Sequence, residues 1–117
     1  MGGKVLFVIL SGPNEVEKAR QALRIARNMA REKIVEDVRI LFLGPGATLL
    51  DPSNPHYSLI ENFLRALNQL KVYVAVCAGN VKVYNLEDKI DRQLVIMDDS
   101  TAVFAEAVEK GYSVATF

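Results

Sequence analysis

The sequence has very few of the residues that build multi-ligand sites. Its 117 residues include one cysteine, one histidine and no tryptophan. A single cysteine excludes an internal disulfide framework and any site made of several thiolates, and it fits a reducing compartment. Fourteen basic and fourteen acidic side chains cancel, so no net field draws the protein towards nucleic acid or an anionic membrane. We expect neither of these as a direct partner.

Long apolar segments are also missing. The apolar stretch near the start, residues 5–10, is only six residues long, which is too short for the apolar region of a secretion signal. No stretch approaches the roughly 20 apolar residues that cross a bilayer. We therefore expect a cytoplasmic protein. Its composition, with 50% hydrophobic and 24% charged residues, is typical of a globular chain, and its length fits a single domain over residues 1–117.

Strand-like and helix-like segments alternate along the chain. Segments that are continuously apolar, or that alternate in polarity, predict five strands, over residues 5–10, 38–43, 72–77, 94–97 and 112–117. Apolar residues spaced three or four apart predict helices, over residues 15–30, over 58–70 and before Gly111, with a further short helix over 81–86. This order predicts an α/β domain with a mainly parallel sheet of about five strands, covered on both faces.

Polar residues predict where two of these helices begin. Asn14 or Ser11 is expected to cap the first long helix, and the run from Asp98 to Thr101 offers caps to the last one. Residues 47–57 hold two prolines and form a long connection, of a kind that often serves binding or assembly.

The carboxyl ends of the predicted strands form the expected ligand-binding edge, because open parallel sheets bind ligands there. Small and polar residues follow four of the strands. Those that we single out for binding a substrate or a small anion are Ser11, Gly12, Gly44, Gly46, Gly79, Asn80, Asp98 and Ser100.

Cys77 is the most distinctive residue at this edge, because it ends an apolar strand directly before Gly79 and Asn80. A thiol at a helix N-terminus faces unpaired amide donors, which stabilise the thiolate and lower the thiol pKa. Cysteine is also among the residues most often buried in protein cores. The residues alone leave two interpretations open, a reactive thiol or a core side chain. No second thiol follows at Cys-x-x-Cys spacing, so dithiol chemistry within one chain is not expected.

Three further features have a structural interpretation beside a functional one. Asp98 and Asp99 have the chemistry of a metal or acid–base pair, but adjacent carboxylates before a helix are typical caps, and we expect no metal. His56 is either a proton carrier or a solvated side chain of the long connection. The glycine-rich segment 44–47 lacks the lysine of a phosphate-binding loop and the spacing of a dinucleotide fingerprint, so no cofactor is expected.

Three segments together resemble the DsrE/DsrF-like family of small sulfur-relay proteins, which includes TusD-type and YchN-like members. They are the first strand with its long helix, the run from Val72 to Asn80 with the cysteine at its strand end, and the closing residues 105–117. The resemblance spans nearly the whole chain. It rests on the order and spacing of these segments rather than on one strict motif.

The resemblance implies a three-layer α/β/α fold of the DsrEFH-like kind, assembly into homotrimers or homohexamers, and a cysteine that accepts sulfur as a persulfide. Cys77 stands at the position of that cysteine. Sulfur donor and acceptor proteins are then the implied partners. Residues 81–86 differ from the basic and glycine pair that often follows the cysteine in the family. The apolar helix face around Phe63 and Leu67 is either core or an oligomer interface.

Two hypotheses about function follow. In the first, the protein is a sulfur carrier or sulfurtransferase that holds sulfane sulfur on Cys77, with the amides of Gly79 and Asn80 favouring the anion. In the second, the same edge belongs to a non-catalytic oligomeric subunit, or to a module that binds a small anion or a nucleotide, and Cys77 is a core residue. Sulfur uptake by the native protein distinguishes the two.

Overall fold

A computed structural model gives the structure of residues 2–117. Its strands are β1 (Lys4–Ile9), β2 (Asp37–Phe42), β3 (Tyr73–Cys77), β4 (Ile96–Asp98) and β5 (Ser113–Thr116). Within the described residues they form one five-stranded sheet in the order β4-β3-β2-β1-β5. Every neighbouring pair is parallel. The predicted α/β class and the parallel sheet are therefore confirmed.

Helices pack on both faces of the sheet, which gives three layers. They are α1 (Val16–Glu32), α2 (Tyr57–Gln69), α3 (Ala78–Val83) and α4 (Ser100–Glu109). Buried residues of α1, α2 and α3 share one apolar cluster with one face of β1, β2 and β3. A second, smaller cluster joins α4 to the opposite face through Leu6, Val8, Leu41, Ala75, Val103 and Ala107. No helix in residues 2–117 has the length and apolarity to cross a membrane.

The first long helix packs closely because its buried stripe is made mostly of alanines. The stripe has helical spacing and consists of Ala19, Ala22, Leu23 and Ala26. The predicted caps of this helix are wrong, because neither Ser11 nor Asn14 caps α1 with its side chain. The chain instead enters α1 through a 3-10 turn over Pro13–Glu15, where the backbone N–H of Glu15 donates to the carbonyl of Gly12 at 2.9 Å.

Two predicted boundaries differ from the structure. The short helix begins at Ala78 instead of residue 81, directly after Cys77, and Val81 is its one buried residue. A six-residue helix with one buried residue has no periodicity by which to place it. Leu94 and Val95 are buried, but their N–H groups donate to the carbonyl of Asp91 in a turn, so the ladder of β4 starts only at Ile96.

The predicted long connection is largely ordered by its own contacts. Residues Gly44–Leu50 form a 3-10 helix with four buried residues. Asn54 is buried, and its side-chain amide donates to the carbonyl of Leu49 at 3.2 Å while its Oδ1 accepts the N–H of His56 at 3.0 Å. This segment therefore closes one face of the core.

Candidate functional site

The chain leaves β3 and β4 towards opposite faces of the sheet. After β3 it enters α3, whose Val81 joins the larger apolar cluster, and after β4 it enters α4, whose Val103 joins the smaller one. Cys77 and Asp98 are in register at the ends of these adjacent strands. Neighbouring strands whose connections diverge in this way open a crevice at their carboxyl ends, and ligands bind there in open α/β sheets.

The thiol of Cys77 lies at this crevice between the starts of two helices. Its Sγ is 3.4 Å from the hydroxyl oxygen of Ser100, the first residue of α4. A side chain at Gly79, in the first turn of α3, would place its Cβ 3.8 Å from the same sulfur. Cys77 is 8% exposed, so the residue is largely enclosed but keeps contact with solvent.

Opposing effects act on the pKa of Cys77, and the lowering effects prevail. Burial raises the pKa and is the largest single effect. The hydroxyl of Ser100 and the backbone N–H groups of Asn80, Gly79 and Ser100 lower it, and together they hold the pKa below the ordinary thiol value. The physical reason is that N–H and O–H dipoles directed at sulfur stabilise the thiolate more than the neutral thiol.

Asn80 fastens the start of α3 to the end of β2. Its side-chain Oδ1 accepts the backbone N–H of Gly44 at 2.8 Å. Gly44 has a φ of 56°, in the left-handed region that favours glycine. The structure thus brings Gly44 beside the crevice as a support for Asn80, which in turn holds the amides of α3 near the sulfur.

Asp98 and Asp99 have separate partners. The Oδ2 of Asp98 accepts the hydroxyl of Tyr73 at 2.5 Å, and its Oδ1 accepts the N–H of Asp99 at 2.8 Å. Asp99 caps α4 by accepting the N–H of Thr101 at 3.1 Å, which confirms its interpretation as a cap. Burial, and next the Asp98 carboxylate, raise the pKa of Tyr73, so Tyr73 stays a protonated donor at neutral pH.

Tyr73 is the residue of this site that the sequence analysis missed. It precedes Cys77 by four positions on the same strand, and side chains two and four apart on a strand point to the same face. This spacing predicts that the phenol of Tyr73 lies on the same face of the sheet as the thiol of Cys77. The tyrosine matters here because it holds the Asp98 carboxylate in place.

A polar cluster attaches α4, and with it Ser100, to the sheet. The guanidinium of Arg39 forms an ion pair with Glu106 of α4 and lies 5.3 Å from the ring centroid of Tyr73 and 4.9 Å from that of Tyr112. The hydroxyl of Tyr112 donates to Asp37. Since α4 itself buries only Val103 and Ala107, this cluster is a substantial part of what positions the helix.

Three other candidates belong to the packing at the end of β1. Ser11 is 5% exposed, and its hydroxyl has no hydrogen-bond partner among residues 2–117. A Cβ at Gly12 would lie 3.2 Å from the carbonyl oxygen of Pro45, and one at Gly46 only 2.0 Å from that of Ile9. Ser11 and Gly12 follow β1, which β2 separates from β3, and Gly46 packs back onto Ile9 of β1, so this group is not part of the site at Cys77.

Among residues 2–117 no hydrogen bond joins His56 to the residues around Cys77. His56 stands at the N-cap of α2, makes no capping bond with its side chain, and is half-buried. The structure therefore assembles Cys77, Gly79, Asn80, Asp98 and Ser100 around one point, with Gly44 behind them.

Solved structures similar to this chain share its fold. A conserved protein of unknown function from Bacteroides thetaiotaomicron, BT1422, is 11% identical with a TM-score of 0.78, over 97% of this chain and 94% of that one. The ychN protein from E. coli is 19% identical with a TM-score of 0.78, over 98% and 99% of the two chains. MTH1491 from Methanobacterium thermoautotrophicum, of unknown function, is 13% identical with a TM-score of 0.73, over 98% and 99%.

Comparison of sequences identifies a family. None of the curated proteins matches this chain. The sequence pattern of the DsrE/DsrF-like family, which is associated in general with sulfur relay, matches residues 3–117. That range includes all five strands and the crevice at Cys77. The chain therefore belongs to the DsrE/DsrF-like family.

Proposed function

We propose that this protein is a sulfur carrier that holds sulfane sulfur as a persulfide on Cys77. The observation that supports it is the position of the Cys77 sulfur, 3.4 Å from the Ser100 hydroxyl. This hydroxyl and the nearby backbone amides lower the thiol pKa. Thiolate is the form that attacks sulfur. A pKa below the ordinary value increases the thiolate fraction at neutral pH.

The transfer step is an exchange between a thiolate and a persulfide. The Cys77 thiolate attacks the terminal sulfur of a donor persulfide, a new S–S bond forms on Cys77, and the S–S bond of the donor breaks. The donor sulfur leaves with the electron pair as a thiolate, so no external oxidant or reductant is needed. Delivery to an acceptor repeats the exchange, with Cys77 as the leaving group.

Each surrounding residue has a role in this step. The Ser100 hydroxyl and the amides near the sulfur stabilise negative charge on Cys77, both before attack and when Cys77 leaves. Asn80 holds those amides in place through Gly44. The hydroxyl of Tyr73 donates to the Asp98 carboxylate and so holds that side chain in a fixed position at the end of β4.

The proposal extends to partners and location. A carrier needs a donor and an acceptor, and we propose that both are proteins bearing a persulfide or a thiol. We also propose a homotrimer or homohexamer as the assembled form. The single cysteine suits a reducing compartment, and we propose the cytoplasm as the place of action.

Intact-protein mass spectrometry tests the proposal directly. The native protein is incubated with a small-molecule persulfide, freed of excess reagent and weighed without reductant. We expect one added sulfur atom that a thiol reductant removes, and none on Cys77→Ser. Because Cys77 is the only cysteine, the control is unambiguous. Failure of the folded wild type to take up sulfur, when the urea-unfolded chain does so, would contradict a carrier role.

A second candidate is a non-catalytic module that binds a small anion, and the 8% exposure of Cys77 favours it. The same amide donors that stabilise a thiolate are suited to an oxyanion. Under this alternative Cys77→Ser leaves binding unchanged. A thermal-shift series with inorganic phosphate, sulfate and nucleotides tests it, and the absence of stabilisation by all of them excludes this candidate.

A further inference from the structure

Gly79 is a glycine that the backbone does not require. It lies in the first turn of α3, is exposed, and has a φ outside the left-handed range. A glycine in such a position costs stability relative to alanine, because it has more conformational freedom to lose on folding. Gly44 differs in this respect, since its φ of 56° favours glycine.

The space around Gly79 is also free of packing constraints. A Cβ at this position would have one neighbour within 4 Å among the described atoms outside its own helix backbone and adjacent residues, which is the sulfur of Cys77 at 3.8 Å. That is an ordinary van der Waals separation, so nothing would have to move. A side chain at residue 79 would therefore fit the fold and stand against the sulfur.

We propose that Gly79 determines which reagents reach Cys77, because its missing side chain leaves the α3 side of the sulfur open. The inference rests on the proposed function and adds a specificity-determining residue to it. Cys77 is 8% exposed, and the residues next to it at the start of α3, Ala78 and Gly79, are both exposed and small. A persulfide on a cysteine within a polypeptide is bulky, so it needs this open space beside the sulfur more than a small reagent does.

The rate at which Cys77 is modified, measured over a range of pH, tests this inference. Gly79→Ala and Gly79→Val are compared with wild type using iodoacetamide as a small reagent and dithionitrobenzoate as a bulky one. We expect the limiting rate at high pH with the bulky reagent to fall about 3-fold in Gly79→Ala and about 10-fold or more in Gly79→Val, with a smaller change for iodoacetamide. Both variants keep the backbone N–H but add burial around the sulfur, so the pH midpoint should rise slightly. The limiting rate at high pH, where the thiol is fully ionised, reports access alone.

Val83→Ala is the matched control, because Val83 is an exposed residue of the same helix. It should leave both rates unchanged. Equal limiting rates with the bulky reagent in wild type and Gly79→Val overturn the inference. A change in the pH midpoint with no change in the limiting rate also overturns it, because Gly79 would then affect the thiol pKa and not the access of reagents to the sulfur.

The same variants separate this inference from the proposed function. If the wild type takes up no sulfur but the bulky reagent still distinguishes Gly79→Val, the carrier role fails and the control of access stands. If the wild type and Gly79→Val take up sulfur from a persulfide-bearing protein at the same rate, the carrier role stands and the control of access fails.

Discussion

The ends of β1 and β3 carry similar small residues but differ in what those residues do. After β1, Gly12 approaches Pro45, and the nearby Gly46 approaches Ile9 so closely that no side chain fits. After β3, Gly79 meets only the sulfur of Cys77. The first group consists of packing contacts, and the second surrounds a thiol whose residue keeps 8% exposure.

The directions of the connecting segments explain the difference. The segments after β1 and β2 both pack on the face that carries α1, since Ala19 and Ala47 belong to one apolar cluster. The segments after β3 and β4 go to opposite faces, as Val81 and Val103 show. Small residues at a strand end therefore indicate a site only where adjacent connections diverge.

Alanine at the two glycines is the strongest way to test this comparison. Gly46→Ala should destabilise the fold by about 3 kcal/mol or more, because its Cβ would lie 2.0 Å from the carbonyl oxygen of Ile9. Gly79→Ala should instead raise stability by about 0.5 kcal/mol. Urea unfolding monitored by circular dichroism measures both. Similar losses in the two variants would contradict the contrast between packing and access.

Removing the Ser100 hydroxyl tests the electrostatics of the β3 end. Ser100→Ala deletes the side-chain partner of Cys77 at 3.4 Å, so the thiol pKa should rise and alkylation at neutral pH should slow about 5-fold, as expected for the loss of one hydrogen bond. Initial rates of alkylation by iodoacetamide over a pH series measure the midpoint. Thr101→Ala, one residue further along α4, is the matched control and should not move the midpoint. An unchanged midpoint in Ser100→Ala would mean that the Ser100 hydroxyl does not lower the pKa of Cys77.

The starts of α1 and α4 offer a smaller contrast. Asp99→Ala should cost about 1 kcal/mol, because the carboxylate accepts the N–H of Thr101. Asn14→Ala should change stability by less than about 0.5 kcal/mol, since Asn14 makes no capping bond to α1. Thermal and urea unfolding compare the two variants. Equal losses would mean that Asn14 supports the entry to α1 after all.

Local patterns predicted the elements well, for physical reasons. Strands β1, β2 and β3 each end in three or four consecutive buried apolar residues, which cover both faces of the sheet and which no amphipathic helix would contain. Asp99 was predicted as a cap because a cap is a contact between residues two apart. Cys77 was placed at a strand end by the same local reasoning.

Contacts between distant segments could not be predicted in this way. Gly46 was grouped with the site, but its requirement for glycine comes from Ile9, which is 37 positions earlier (46 − 9 = 37). Ser11 and Cys77 lie at the same carboxyl edge of the sheet, as the sequence predicts, but the strand order places β2 between them. The divergence of α3 and α4, which creates the crevice, depends on the faces to which both helices dock.

The smallest expected effect is a dependence of stability on pH that comes from Cys77 itself. Its pKa in the folded state is lowered, while the unfolded chain titrates at the ordinary thiol value. Between these two pKa values the unfolded state binds more protons, so the free energy of unfolding rises with pH in that window. The thiol's contribution is fully present above the unfolded-state pKa and is lost as pH falls through the folded-state pKa. Unfolding of wild type and Cys77→Ser is measured in urea from pH 6 to about 9.5, and the difference between them should move in favour of wild type as pH rises. A difference that moves the other way would mean that burial outweighs the donors at the end of β3, and the contrast with β1 would then be one of packing alone.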